Sequence, residues 1–173
     1  MDQCSIAINV CASALCSPLF PERLKEQLEK HNITGHILEL ELLEDGLVDD
    51  MERCVKNIVQ CRELGVRIAI DDFGTGYSSL SYLQQIPADT LKIDRKFVSR
   101  LEFDTISTAL VNSIITLGRI AGMKTVAEGV ETPEQAKKLR LFHCDSLQGY
   151  HFSRPLSVDK AEALLQSAKS EAA

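Results

Sequence analysis

The chain has 173 residues, 45% of them hydrophobic and 25% charged, with a formal net charge of -6. That is the make-up of one soluble globular domain long enough to bury a core, and the negative balance excludes a general DNA or RNA binder, which carries a basic stripe. No run approaches the roughly 18 apolar residues that insert into a membrane, and the first residues lack the pattern of a secretory signal, so a cytoplasmic location is expected.

Ser5 to Val10 reads as a short apolar, β-branched strand ending at Asn9. Pro21 to His31 follows as a helix, with Leu24 and Leu28 on a charged background. His36 to Leu43 is the second strand and ends on Glu41 and Glu44. Asp50 to Leu64 is helical, with Met51, Val55, Ile58, Val59 and Cys61 at its apolar positions and Gly65 closing it. Val66 to Ile70 is the third strand, ending on Asp71 and Asp72, and Thr90 to Ile93 the fourth, ending on Lys92 and Asp94. Thr105 to Ala121 carries Ile106, Leu110, Ile114, Leu117 and Ile120, apolar on most faces, which predicts a helix buried in the chain or against a partner. Lys124 to Ala127 leads to Glu128, Pro133 opens a helix behind the cap Thr132, and Ser146 to Gln148 is the last strand. The domain spans residues 1–166, and the Ser/Ala/Lys segment 167–173 is expected to be a flexible tail.

Strand followed by helix, about six times over, means a parallel α/β architecture, either an open doubly wound sheet or a closed TIM-type (β/α) barrel. In an open sheet only the strands beside the switch point carry functional ends, whereas a barrel gathers every strand C-terminus on one rim. Every strand here ends polar, which favours the barrel. About six units are present against the eight of a full barrel, so an N-terminally incomplete domain is expected.

The six cysteines, Cys4, Cys11, Cys16, Cys54, Cys61 and Cys144, lie scattered among apolar segments with no Cys-x-x-Cys pair, and reduced, mostly buried thiols are expected. His31, His36, His143 and His151 lack ligand spacing and read as packing or surface residues. Gly74-Thr75-Gly76-Tyr77-Ser78-Ser79 has serine where a dinucleotide fingerprint needs its third glycine and lacks a Gly-Lys-Ser/Thr ending.

The rim is the chemical signal. Asn9, Glu41, Asp71, Asp72 and Glu128 offer hard oxygen ligands, which suit Mg2+ or Mn2+. Two carboxylates about 4 Å apart repel by roughly 4 kcal/mol at an effective dielectric of 20, a cost that divalent cations reverse. By itself the Asp71-Asp72 pair reads equally well as the cap of the Gly-rich turn that follows. The polar ends of the other strands weigh toward two ions about 3.5–4 Å apart, set to activate water against phosphorus. Lys92, in a buried strand, is expected to touch that water or a phosphate.

In order along the chain, Ile8-Asn9-Val10, Glu41-Leu42-Leu43-Glu44, Asp71-Asp72-Phe73-Gly74-Thr75-Gly76, Leu91-Lys92-Ile93-Asp94, Glu128-Gly129-Val130-Glu131-Thr132 and Gln148-Gly149-Tyr150 resemble the EAL-domain phosphodiesterases of bacterial cyclic di-GMP signalling. The resemblance implies a hydrolase that opens one phosphodiester of cyclic di-GMP to linear pGpG with two Mg2+ or Mn2+ ions. It further implies a homodimer, with the Thr105 to Ala121 helix in the contact, and a parent protein carrying sensory or GGDEF-type domains. Carried over, Asn9, Glu41 and Asp71 hold one metal and Asp71, Asp72 and Glu128 the other. Lys92 contacts the nucleophilic water, Glu131 supports the lysine and substrate, Gln148 lines the pocket, and Glu44 anchors the loop after Asp72.

Cys11 stands where the family usually has serine, and Leu43-Glu44-Asp45 where it has Thr-Glu-Ser; neither change removes a ligand. The glutamate that names the family precedes the Asn9 strand, and Glu162-Ala163-Leu164 is no substitute because it follows every other motif and lies in a helical terminal segment. Activity of the isolated chain is therefore expected to be low or absent. The alternative function is a non-catalytic cyclic di-GMP-binding or protein-interaction module.

Overall fold

The computed structural model describes residues 5–43, 51–74, 83 and 85–171, with side chains described to residue 167. Six parallel strands pair in chain order: β1 (Ile6–Val10), β2 (Leu38–Leu43), β3 (Arg67–Phe73), β4 (Thr90–Ile93), β5 (Lys124–Ala127) and β6 (Ser146–Leu147). Around them lie α1 (Ala12–Leu15), α2 (Phe20–Lys30), α3 (Met51–Glu63), α4 (Arg95–Val98), α5 (Thr105–Ile120), α6 (Pro133–Leu141) and α7 (Val158–Glu171). Sequential parallel order with helical crossovers is the arrangement of a TIM-type barrel wall, and the expected α/β class and six units stand. None of the described helices is long and apolar enough to cross a membrane.

Side-chain alternation divides the wall into two faces. Leu40, Leu42, Ile68, Ile70, Leu91 and Ile93 pack in the core beneath the helices, at 2% exposure or less. The opposite face carries Glu39, Glu41, Arg67, Asp71, Thr90 and Lys92. Below the rim, Glu39 accepts from Arg67 Nε at 3.2 Å and Thr90 Oγ1 at 3.4 Å. The run Leu38-Glu39-Leu40-Glu41-Leu42 is thus a period-two strand with a polar lumen face, where an apolar buried strand was the sequence expectation.

Local signals set the ends. Gly65 takes φ 85° after α3, and Thr132 caps α6 through a reciprocal box with Gln135. Asp104 caps α5, accepting from the Ile106 and Ser107 amides. This helix is not buried all round: Ile106 is 70% exposed and Ile120 78%, while Val111, Ile114 and Ile115 face the core. α7 continues past residue 166, where the sequence reading begins its tail. The thiols are not all reduced, where the sequence led one to expect that they would be. Cys16 and Cys54 form a disulfide with Cα atoms 4.8 Å apart, because α1 packs on α3 and brings the two side chains face to face.

Candidate active site

Neighbouring residues of a regular strand point to opposite faces, so Asp71 and Asp72 should not reach one site. The sheet solves this with a bulge. Ile70 pairs with Leu91 and Phe73 with Ile93, three steps on β3 against two on β4, and Asp72 takes φ 54°. The Asp72 amide donates to Asp71 Oδ1 at 3.0 Å inside the bulge. As a result, one ligand oxygen each from Asp71, Asp72 and Glu128 falls within a 4.8 Å cluster.

Lys92 sits against this group with only 5% of its side chain exposed. Its Nζ lies 2.5 Å from Glu41 Oε1, 2.7 Å from Glu128 Oε1 and 3.1 Å from Asp71 Oδ1. Burial works against the ammonium charge, but hydrogen bonds to Glu128 and Glu41 and the charges of Glu128 and Asp71 outweigh it, holding the group above the ordinary lysine range. Three carboxylates contact this one ammonium and Asp72 stands beside Asp71, so negative charge is in excess, and two of the group are disfavoured as anions. Asp72 is pushed up by burial, by the charge of Asp71 and by a hydrogen bond to Asp94. Glu128 is pushed up by burial, which outweighs its bond to Lys92.

The remaining expected residues are placed differently. Asn9 pairs in register with Glu41 but lies exposed on β1, which has a neighbour on one side only among the described strands. Glu131 is exposed, its amide donating to Gln135 Oε1 at 2.8 Å, and the described ion pairs of Lys92 are with Glu41, Asp71 and Glu128. Gln148 is exposed and accepts through its carbonyl from the Val130 amide at 3.0 Å. Glu44 lies outside the described residues.

Gly149 makes the link between the last two rim segments. A Cβ there would stand 2.1 Å from the Val130 carbonyl oxygen and 2.3 Å from its nitrogen, so only glycine lets the chain after β6 lie on the Glu128–Glu131 segment. Gly149→Ala is expected to cost about 1–3 kcal/mol in thermal unfolding, since backbone rather than a movable side chain must give way.

Two residues were not given roles from the sequence. Asp94, 4% exposed, caps α4 by accepting from the Lys96 amide at 2.6 Å and stands beside Asp72. Gln135, 5% exposed, holds the Glu131 and Thr132 amides. The Thr-x-x-Gln spacing before an apolar run is the signal that would have found the second.

The donor set fits divalent metal: oxygen ligands only, converging, with more negative charge than the lysine compensates. A sequential parallel wall whose strand ends carry such a set defines a TIM-type barrel with its site on the C-terminal rim. The chain belongs to the EAL domain family, which matches residues 1–155. It is 40% identical over 168 residues to the cyclic di-GMP phosphodiesterase NbdA of Pseudomonas aeruginosa, covering 97% of this chain and 22% of NbdA. The EAL domain of Mycobacterium smegmatis DcpA shares the fold with a TM-score of 0.90 at 36% identity, over 94% of this chain and 73% of that one. Klebsiella pneumoniae BlrP1, solved as a manganese and cyclic di-GMP complex, gives 0.80 at 31% identity over 87% of this chain and 39% of that one. The chain spans between 19% and 52% of the length of the first curated relatives it matches.

Proposed function

We propose that this chain forms most of a metal-dependent phosphodiesterase site that opens cyclic di-GMP to linear pGpG. The observation that carries the reading is the bulge at Asp71 and Asp72, which spends an unfavourable backbone conformation to aim two like charges at Glu128. Asn9, Glu41 and Asp71 would hold one Mg2+ or Mn2+ ion, and Asp71, Asp72 and Glu128 the other. Bound there, the ions would acidify a water and neutralise charge building on phosphorus. Lys92 would orient that water and steady the phosphate oxygens. Its three carboxylate partners keep it protonated, so it acts as a fixed positive charge. Glu131 and Gln148, exposed at the mouth, would meet the nucleotide, and Glu44 would hold the loop after Asp72. A cytoplasmic location and a parent with sensory or GGDEF-type domains belong to the same reading.

The exposure of Asn9, apart from the carboxylates gathered on Lys92, favours a second reading as a cyclic di-GMP-binding or protein-interaction module. Incubation with cyclic di-GMP and Mn2+ separates the two. Metal-dependent pGpG supports hydrolysis, whereas binding without product supports the module.

A homodimer through α5 is part of the proposal. On α5, Ile106, Leu110 and Ile120 share one face with exposures of 70, 44 and 78%, and Phe103, in the turn just before it, is 87% exposed, an apolar surface that a second copy would cover. Ile106→Glu is expected to shift the chain to monomer in sedimentation velocity at micromolar concentration. An unchanged sedimentation coefficient would remove α5 from the interface.

A further inference from the structure

We propose that Cys16 and Cys54 are a reversible thiol–disulfide couple, a modification site for peroxide-class oxidants that ties together the segments leaving β1 and β2. Cys16 ends α1, which follows the Asn9 strand, and Cys54 lies in the first turn of α3, beyond the Glu41 strand. Their Cα separation of 4.8 Å falls in the disulfide range.

A second contact holds the same pair of elements without sulfur. Asn57, one turn further along α3 and 3% exposed, donates both amide hydrogens, to the Leu15 carbonyl at 2.6 Å and the Ser17 carbonyl at 2.9 Å. These carbonyls flank Cys16. The clamp therefore keeps Cys16 opposite Cys54 in the dithiol form as well, and the bond can form and open without rearrangement.

Access differs between the two sulfurs. Cys54 is fully buried and Cys16 partly exposed, so within the pair an oxidant reaches Cys16 before Cys54, while the exposed Cys11 has no cysteine partner among the described residues. The Cys16 thiolate attacks hydrogen peroxide, breaking the O–O bond to give a sulfenic acid and hydroxide. Cys54, giving up its proton, attacks that sulfur; the S–S bond forms and the second oxygen leaves as water. In sum, two thiols lose two hydrogens and one peroxide becomes two waters. A small thiol reverses the bond by exchange, leaving as its own disulfide. Cys61, further along α3, is a poor competitor because burial pushes its thiol up to about 11.

The bridge encloses β2 and its Glu41, so its redox state sets how firmly the first two rim strands are tied. The inference stands apart from the hydrolytic reading. To test it, the full chain is reduced, freed of reductant, treated with one equivalent of hydrogen peroxide and followed by intact mass, non-reducing peptide mapping and hydrogen exchange. The expected result is a loss of two hydrogens, a cross-link between the Cys16 and Cys54 peptides, reversal by dithiothreitol, and amide exchange in α1 and the start of α3 slowed about tenfold in the oxidised form. The triple variant Cys11→Ser, Cys61→Ser, Cys144→Ser should retain all of this, and Cys54→Ala should lose the cross-link. Should Cys54→Ala not fold, the triple variant still decides. Oxygen addition without a cross-link, linkage through Cys11, Cys61 or Cys144, or a bond that dithiothreitol does not open would overturn the proposal.

Discussion

Lys92→Met is expected to lower the stability of the metal-free chain by about 3–5 kcal/mol, the largest effect of any single rim substitution. The ammonium is buried and contacts Glu41, Asp71 and Glu128 at 3.1 Å or less. Removing it leaves three desolvated carboxylates, with Asp72 beside them, facing one another without a counter-charge. For a chain of this size the loss is roughly 10 °C in melting temperature. Saturating Mn2+ should recover much of that stability, since divalent cations replace the missing charge. It should not recover turnover, which is expected to fall at least ~100-fold because a positioned group is gone from the reacting centre. Melting curves with and without Mn2+, read beside pGpG formation in a chain that turns over, check both halves. An unchanged metal-free melting point would mean that Lys92 does not hold these carboxylates together.

Asp72→Asn is expected to act in opposite directions on stability and on metal binding. In the metal-free chain Asp72 is disfavoured as an anion by burial and by Asp71, Asp94 and Glu128. Asparagine removes that charge while tolerating the left-handed backbone, so the melting point should rise by about 2–4 °C, the shift given by ~1 kcal/mol of relieved repulsion. Mn2+ affinity should fall by at least about tenfold, because one ligand carries no charge. The pH dependence follows from the same groups. Asp72 and Glu128 titrate higher in the folded chain than in the unfolded one. Their protonated forms therefore favour folding, and this contribution is lost as pH rises through the raised values. Lowering the pH from neutrality into that range should stabilise the metal-free chain, less so in Asp72→Asn, and Mn2+ should suppress the trend. A metal-free melting point that fell steadily over the same range would contradict the sign.

The wall of the barrel was legible because each strand is short, apolar on one face and bounded by a polar end. Lys124–Ala127 and Thr90–Ile93 appear with the bounds their residues indicate. The capped helices were equally readable, since Thr132 with Pro133 fixes the start of α6 chemically. The convergence of Asp71 with Asp72 was named, but its cause was hidden: strand periodicity puts the two on opposite faces, and only the β3–β4 pairing exposes the bulge. The clamp of Asn57 on α1 was invisible for a related reason, as its partners lie 40 and 42 residues away and are backbone carbonyls, which leave no mark in composition. For α5 the apolar pattern left open whether the helix buries itself in the chain or against a partner. Its exposed isoleucines count toward hydrophobic periodicity whether they meet the core or solvent.

Titration of the chain with Mn2+, following the free ion by electron paramagnetic resonance, tests most directly whether these rim oxygens meet around divalent metal. Saturable binding that weakens at least about tenfold in Asp71→Asn, the ligand proposed for both ions, is the result expected. Binding that is absent, or equally strong in Asp71→Asn and the unsubstituted chain, would contradict it.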